Sequence, residues 1–351
     1  MSDQILQVKN LHVSFKTYAG QSQAVRGVDF NLNKGEILAI VGESGCGKTV
    51  TSKAILGLLP KDNTTIGGSK DSEIIFGGED LLKKSEKEMA SIRGRKISMI
   101  FQDPMTSLNP TMKIGDQIAE SILLHNNISK QEVYKRSIEM LELVKIPNAE
   151  QRMNQYPFEF SGGMRQRAMI AIALACKPEI LIADEPTTAL DVTIQAQIMD
   201  LIQELQKELN MAVILVTHDL GVVASVADRI QVMYAGKVVE RGTVDEIFYQ
   251  STHPYSRALL KSVPKITNIH KETLYSLKGT PPDLIKPPTG CSFSPRCEYG
   301  MKICREQYPK TIVLSDTQES SCWLHHPKAD KSGLPQNMIR EGEQLWQKET
   351  F

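Results

Sequence analysis

Apolar and polar positions alternate along Leu6–Phe15 and again along Gln23–Leu32, with breaks at Gly20 and at Asn33-Lys34-Gly35. A period of two between turn residues predicts antiparallel strands. The pattern then changes. EILAIV, at Glu36–Val41, is apolar throughout after its first residue, as a strand buried on both faces would be. It runs into glycines and then into Lys48–Leu59, a predicted helix closed by Pro60. From about 104 to 160 no strand pattern is visible. Gly115–His125 and Gln131–Val144 have helical period between polar joints, which predicts an inserted helical arm. Beyond it, Ser161–Cys176 reads as helix, Glu179–Ala183 as strand and Thr193–Leu209 as helix. In the last of these Ile198, Leu201, Ile202, Leu205 and Leu209 form one apolar stripe. Met211–Thr217 is another buried strand, followed by a helix and the strand Arg229–Met233. Strands alternating with helices predict a parallel sheet covered on both faces. After Gln250 the texture turns proline-rich and loopy, as in TPPDLIKPPTG, and predicts a separate C-terminal piece. The expected division is 1–250, with the arm inserted, then 251–330, then a tail at 331–351.

Composition changes this picture little. At 351 residues, with 41% hydrophobic and 23% charged residues, the chain is ordinary globular material. Lys+Arg and Asp+Glu are both 41, so no global basic field exists to hold nucleic acid or an anionic membrane. MSDQILQVKN is not a signal peptide, and no run approaches the length needed to span a bilayer. The expectation is a cytosolic chain, where thiols stay reduced.

The chemistry starts at GESGCGKT, Gly42–Thr49, which fits G-x-x-x-x-G-K-[ST] between a strand and a helix. Gly42, Ser44, Gly45, Cys46 and Gly47 can turn backbone N–H groups inward around phosphates, at a helix N-terminus whose positive end adds to the attraction. Lys48 reaches the terminal phosphates, Thr49 offers its hydroxyl to Mg²⁺, and Val50 continues the cradle into the helix. In ILIADE, Ile180–Glu185, an apolar strand delivers Asp184 to its C-terminal end, where it can hold Mg²⁺. Glu185 beside it can orient an attacking water. The fold class is thus α/β: a P-loop, RecA-like parallel-sheet core, with an antiparallel β subdomain and an inserted helical subdomain.

SGGMRQR, Ser161–Arg167, opens a helix with a second phosphate-binding arrangement at Ser161, Gly162 and Gly163. One nucleotide has no use for two such cradles in one chain. Here the sequence resembles the ATP-binding subunits of ABC transporters, from about Leu6 to His325. The resemblance implies that two such domains pair head to tail, each ATP lying between one P-loop and the other's signature. It also assigns Gln102 in FQDP to joining Mg²⁺ and water to the membrane subunits. Ala189-Leu190-Asp191 takes the place of the D-loop, and His218 in LVTHD that of the histidine touching the γ-phosphate. Phe15 matches the aromatic that stacks on adenine, with Tyr18 close by as the alternative. The departure is Met164, where many relatives carry glutamine; Ser161, Gly162 and Gly163 are retained.

FQDPMTSLNPTMKIG after Gln102, HPYSRALLKSVP at His253–Pro264 and GTPPDL at Gly279–Leu284 resemble the oligopeptide and dipeptide importer ATPases. That subfamily also includes importers of nickel and other small solutes. The resemblance implies two membrane permease subunits, a second paralogous ATPase, an extracytoplasmic peptide-binding protein and a position on the cytoplasmic face of the membrane. A soluble ABC ATPase acting on nucleic acid or ribosomes is the alternative of another class. One P-loop, no heptad run and zero net charge argue against it.

Four of the six cysteines gather near the end, as Cys291-x5-Cys297-x6-Cys304-x17-Cys322. In a reducing compartment such a cluster suggests a metal. Zinc usually takes tight C-x2–4-C pairs, and none is present; an iron–sulfur cubane accepts four thiolates at wider spacing. The resemblance adds that some relatives carry a [4Fe–4S] cluster in this extension. The readings are therefore a [4Fe–4S] cluster, Zn²⁺, or unligated or disulfide cysteines, with His325 as a possible substitute ligand.

Overall fold

The computed structural model describes residues 4–68, 71–188, 190–263, 276–335 and 338. The two alternating runs become β1 (Gln4–Thr17) and β2 (Gly20–Asn33), paired antiparallel with Val13 opposite Val25. Leu6, Val8, Leu11 and Val13 are all buried although a strict period of two would turn Leu11 outward. The register shifts between Val8 and Leu11, and Asn10 in that gap has φ 45°, so a bulge returns the next pair to the core.

The buried run becomes β3 (Ile37–Val41), which leads through the glycine loop to α1 (Lys48–Ile55). That helix ends earlier than its sequence suggests. Gly57, at φ +61°, supplies the left-handed residue that closes it, and Pro60 lies beyond. Three strands with weak sequence signal follow: β4 (Thr64–Ile66), β5 (Glu73–Phe76) and β6 (Glu79–Asp80). With β1 and β2 they make a five-stranded antiparallel sheet. Next come α2 (Glu86–Ile92), capped reciprocally by Ser85 and Glu88, and β7 (Ile97–Ile100).

Between β7 and the following strand the chain is helical: α3 (Pro104–Ser107), α4 (Ile114–His125), α5 (Lys130–Leu143), α6 (Ala149–Arg152) and α7 (Gly162–Leu174). Ile114, Ile118 and Ile122 of α4 bury one face against α5 and α7 in a shared core cluster. The second half alternates β8 (Ile180–Asp184), α8 (Val192–Leu209), β9 (Ala212–Thr217), α9 (Leu220–Val226) and β10 (Arg229–Tyr234). The expected stripe on α8 is buried at Ile198, Leu201, Ile202 and Leu205, with Leu209 partly buried beside it.

After β11 (Lys237–Thr243) come α10 (Val244–Gln250), α11 (Pro254–Lys261), α12 (Lys302–Glu306), β12 (Ile312–Val313) and β13 (Glu319–Ser320). The large sheet has eight strands in the order β12-β13-β11-β10-β3-β9-β8-β7. Its core from β10 to β7 is parallel, while β11, β13 and β12 extend it antiparallel. The C-terminal piece is accordingly not separate. It adds two strands to the sheet, and Tyr255, Phe293, Cys291 and Cys297 pack into a core shared with β3 and β10. Among the described residues no helix is long and apolar enough to cross a membrane.

Candidate functional site

At the C-terminal ends of β3, β8 and β9 the parallel strands deliver their loops to one cleft of about 880 Å³. Gly42, Ser44, Gly45, Gly47, Lys48, Thr49 and Val50 line it from the glycine loop, joined by Gln102, Glu185 and His218. The loop can make this turn because its glycines occupy positions closed to other residues. A Cβ on Gly42 would stand 2.2 Å from the Met233 carbonyl oxygen, and one on Gly47 2.5 Å from that of Ala24. Cys46 is buried beneath the loop, where desolvation pushes its thiol pKa up. It packs the loop from below rather than facing the cleft.

Lys48 folds back over the loop and donates to the carbonyls of Gly42 at 2.8 Å and Glu43 at 3.2 Å. Thr49 Oγ1 donates to Asp184 Oδ1 at 2.9 Å across the gap between α1 and β8. Asp184 is 2% exposed, and burial raises its carboxyl pKa. Two hard oxygen donors at this separation fit a small divalent cation such as Mg²⁺.

Glu185 has φ 48°, in the left-handed region that a glutamate seldom adopts. Its backbone N–H donates to Val216 O at 2.8 Å, which holds the strained turn to the neighbouring strand. Three side chains then surround its carboxylate. Gln102 Nε2 donates to Oε2 at 2.8 Å, Thr188 Oγ1 donates to the same oxygen at 3.1 Å, and His218 Nδ1 lies 3.2 Å from Oε1. A carboxylate held in this way, on the rim of a cleft with room for a nucleotide, can orient a water.

The other expected positions lie elsewhere. Ser161 caps α7, its Oγ accepting from Met164 N at 3.3 Å, and Asp191 caps α8, its Oδ1 accepting from Ile194 N at 3.0 Å. Neither residue, nor Gly162 or Gly163, lines the cleft. These two helix starts adjoin each other, a Cβ on Gly162 meeting Leu190 at 3.6 Å. Ala189 lies outside the described residues. Met164 packs against the core that α7 shares with α8. Phe15 is partly buried against the antiparallel-sheet core and does not line the cleft; Tyr18, in the turn before β2, is fully exposed.

In their place the cleft has a wall that the sequence did not announce: Ala24 from β2, with Leu259, Ser262, Ser276, Leu277 and Pro281 from the C-terminal piece. The signals were HPYSRALLKSVP, which holds Leu259 and Ser262, and GTPPDL, which holds Pro281; their residues gain a role once this piece is seen beside the glycine loop. In the first of these, His253 accepts from Tyr255 N at 3.1 Å and Pro254 occupies the first helical turn, so the motif is an N-terminal cap.

Cys291, Cys297, Cys304 and Cys322 line one small pocket with His253, Phe293 and Trp323, and all four are free thiols. Burial, with the neighbouring thiols adding to it, pushes Cys297 up to about 12 and raises Cys291 and Cys322 as well. Even so, among the described residues no three His, Cys, Asp or Glu side chains are grouped as a metal-holding set, so the expected metal-binding extension is not shown. The disulfide alternative has no counterpart here.

Residues 25–188 match the family model of the ABC transporter, and 239–304 match that of the oligopeptide/dipeptide transporter C-terminal region. The oligopeptide transport ATP-binding protein OppD of Bacillus subtilis is 58% identical over 95% of this chain and 92% of its own length. The dipeptide transport ATP-binding protein DppD of the same organism is 55% identical over 95% and 98%. OppD of Escherichia coli is 52% identical over 88% and 90%. Among solved structures, an ATP-binding cassette in a dimeric post-hydrolysis state bound to ADP and Pi superposes with TM-score 0.60 at 29% identity. It covers 68% of this chain and 98% of its own. CbiO1 of Clostridium perfringens, part of an ABC transporter complex, gives the same score and identity over 70% and 91%.

Proposed function

The chain belongs to the family of ABC transporter ATP-binding proteins, and from that premise we propose that it binds and hydrolyses ATP to drive import of oligopeptides or dipeptides through membrane permease subunits. The observation that carries the ATPase is the single cleft joining the glycine loop, the Thr49–Asp184 contact and the Glu185 carboxylate. The match at 239–304 and the curated relatives carry the peptide substrate over a nickel or other small-solute cargo.

In this reading the glycine loop and Lys48 bind the phosphates. Mg²⁺, held by Thr49, Asp184 and Gln102, would neutralise charge on the β- and γ-phosphate oxygens. Glu185 orients the water for in-line attack, and His218, within 3.2 Å of that carboxylate, contacts the γ-phosphate. The work is positioning and charge neutralisation, with no covalent intermediate on the protein. Ser161, Gly162, Gly163 and Asp191 serve the ATP of a second, paralogous ATPase. Their location away from this chain's own cleft supports that assignment, as does the dimeric state of the solved cassette. Adenine stacking falls to Phe15 or Tyr18, or to the Leu259–Leu277 wall. Copurification with the two permeases and the paralogous ATPase, followed by ATPase measured with and without peptide-loaded binding protein on the far side of the bilayer, tests the whole reading. Peptide-independent activity with no permease association would end it.

A second reading concerns the cysteine pocket: the convergence of four thiols supports a metal centre, and the lack of a tight C-x2–4-C pair in their spacing favours a [4Fe–4S] cluster over Zn²⁺. Such a cluster would draw off the thiol protons that burial now retains and tie a loop-rich segment together.

A further inference from the structure

Glu43 is the second residue of the glycine loop, and the C-terminal piece grips it by both backbone and side chain. Its N–H donates to the Tyr255 hydroxyl at 2.9 Å. Its carboxylate accepts a two-pronged contact from Arg296, at 2.6 Å to Oε2 and 2.9 Å to Oε1. Its carbonyl accepts from Lys48 Nζ at 3.2 Å. All three polar groups of one loop residue are thus committed, two of them to residues more than two hundred positions away in sequence.

Arg296 is held as firmly as it holds. Its side chain is 4% exposed, Nε donates to Lys278 O at 2.9 Å, and one terminal nitrogen also reaches the Tyr234 hydroxyl at 3.2 Å. The guanidinium lies 5.8 Å from the Tyr234 ring centre. Behind it Phe293 packs edge-on against Tyr234 and Tyr255, which are tilted against each other, with centroids 4.5 to 5.4 Å apart. A planar fork fixed this way aims Glu43 rather than merely neutralising it. Arg296 also directly precedes Cys297, one of the four thiols around the small pocket.

We propose that Arg296 is a positioning residue for ATP: it fixes Glu43, and through the Glu43 carbonyl the resting place of Lys48, so that the order of the four-cysteine segment sets the nucleotide affinity of the glycine loop. This rests on the ATPase reading above. It gives the C-terminal piece a role at the nucleotide that differs from lining the cleft. A loop held in its binding geometry loses less conformational freedom when the phosphates arrive, which raises affinity without adding a contact to them.

The test is the affinity of the full-length chain for a fluorescent ATP analogue, together with KM and kcat of the permease-bound assembly. Arg296→Met should weaken binding roughly tenfold, within the usual range for coupled sites, and raise KM more than it lowers kcat. Arg296→Lys keeps the charge without the fork and should fall between it and the parent. Glu43→Gln, at a partly exposed loop position, tests the same contact without emptying a buried site. Combining it with Arg296→Met should add nothing to the larger single loss. Parent-like affinity in both single variants, or additive losses in the double, would overturn the proposal. If the parent chain itself fails to bind the analogue, it is the ATPase reading that falls, so the two failures are told apart.

Discussion

Gln102 Nε2 donates to Glu185 Oε2 at 2.8 Å, so the end of β7 and the end of β8 meet at a single carboxylate. Gln102 lies where the helical arm begins and Glu185 at the rim of the phosphate cleft. Any movement of the arm therefore reaches the carboxylate through one hydrogen bond. Glu185→Gln preserves the size of the side chain and the accepting oxygen but removes the charge that polarises water. Turnover in the assembled complex should fall by about 10²–10⁴-fold, the range for losing a general base, with ATP affinity near the parent's. Hydrolysis at the parent rate would show that another group activates the water.

Lys48 lines the same cleft and is expected to act on binding. It now donates to two loop carbonyls and would exchange them for phosphate oxygens. Lys48→Ala should weaken ATP binding by roughly ten- to a hundredfold, as losing a charge-assisted contact of about 1.5–3 kcal/mol implies. Equal losses in Lys48→Ala and Glu185→Gln, measured by nucleotide titration, would contradict the division of labour between them.

The glycines of the loop allow a graded test of its geometry. At Gly45, φ is +78° and a Cβ would meet nothing within 4 Å, so Gly45→Ala should cost only the left-handed strain of about 1–2 kcal/mol. At Gly42 a Cβ would in addition collide with the Met233 carbonyl at 2.2 Å. Since that carbonyl belongs to β10 inside the sheet, it cannot yield cheaply. Gly42→Ala should lower the melting temperature clearly more than Gly45→Ala and deform the loop. Matching melting temperatures would mean that the loop moves off β10 at little cost.

How far the sequence carried this reading depended on whether a feature is local. The buried runs that became β3, β8 and β9, and the period of α4, α5 and α8, were readable because each element's own burial writes its pattern. The cleft residues from Gly42 to Val50, with Gln102, Glu185 and His218, were readable because their spacing is set by the strand–loop unit that carries them. β7 (ISMI) and β11 (KVVERGT) went unread: the first is too short to show a period, and the second mixes charge into a strand that pairs on both edges. The Glu43–Arg296 contact could not have been read at all, since neither residue stands in a pattern that implies the other. It exists because β10, α11 and the cysteine segment fold onto one another.

Separation of the signature from the cleft leads to a prediction about assembly. Ser161 and Gly162 open α7 on a face that Gly42–Thr49 of the same chain do not share. The purified chain alone should hydrolyse ATP slowly and gain activity on mixing with the paralogous ATPase and the permeases. Ser161→Arg in this chain should then impair hydrolysis at the partner's ATP while leaving this chain's own nucleotide affinity intact. Rapid hydrolysis by the isolated chain, independent of its concentration from dilute to concentrated solution, would argue for a site complete within one subunit.

The cysteine pocket permits a direct decision. Cys291 N donates to Cys304 O at 2.7 Å, and a Cβ on the preceding Gly290 would stand 2.3 Å from that same carbonyl. The backbone is therefore drawn tight where two of the four thiols meet. Burial raises the thiol pKa of Cys291, Cys297 and Cys322, an arrangement that stores no charge there until a cationic centre displaces the protons. Protein purified without oxygen should be brown, hold about four irons per chain and lose its visible absorbance in Cys297→Ser. Gly290→Ala should lose iron too, though it removes no ligand, because the collision pushes Cys291 away from Cys304. Loss of iron in Cys297→Ser with full retention in Gly290→Ala would show that the tight backbone is incidental to the site. A colourless parent protein carrying one zinc per chain would replace the cluster with Zn²⁺, and a metal-free parent with four titratable thiols would leave the pocket as buried cysteines alone.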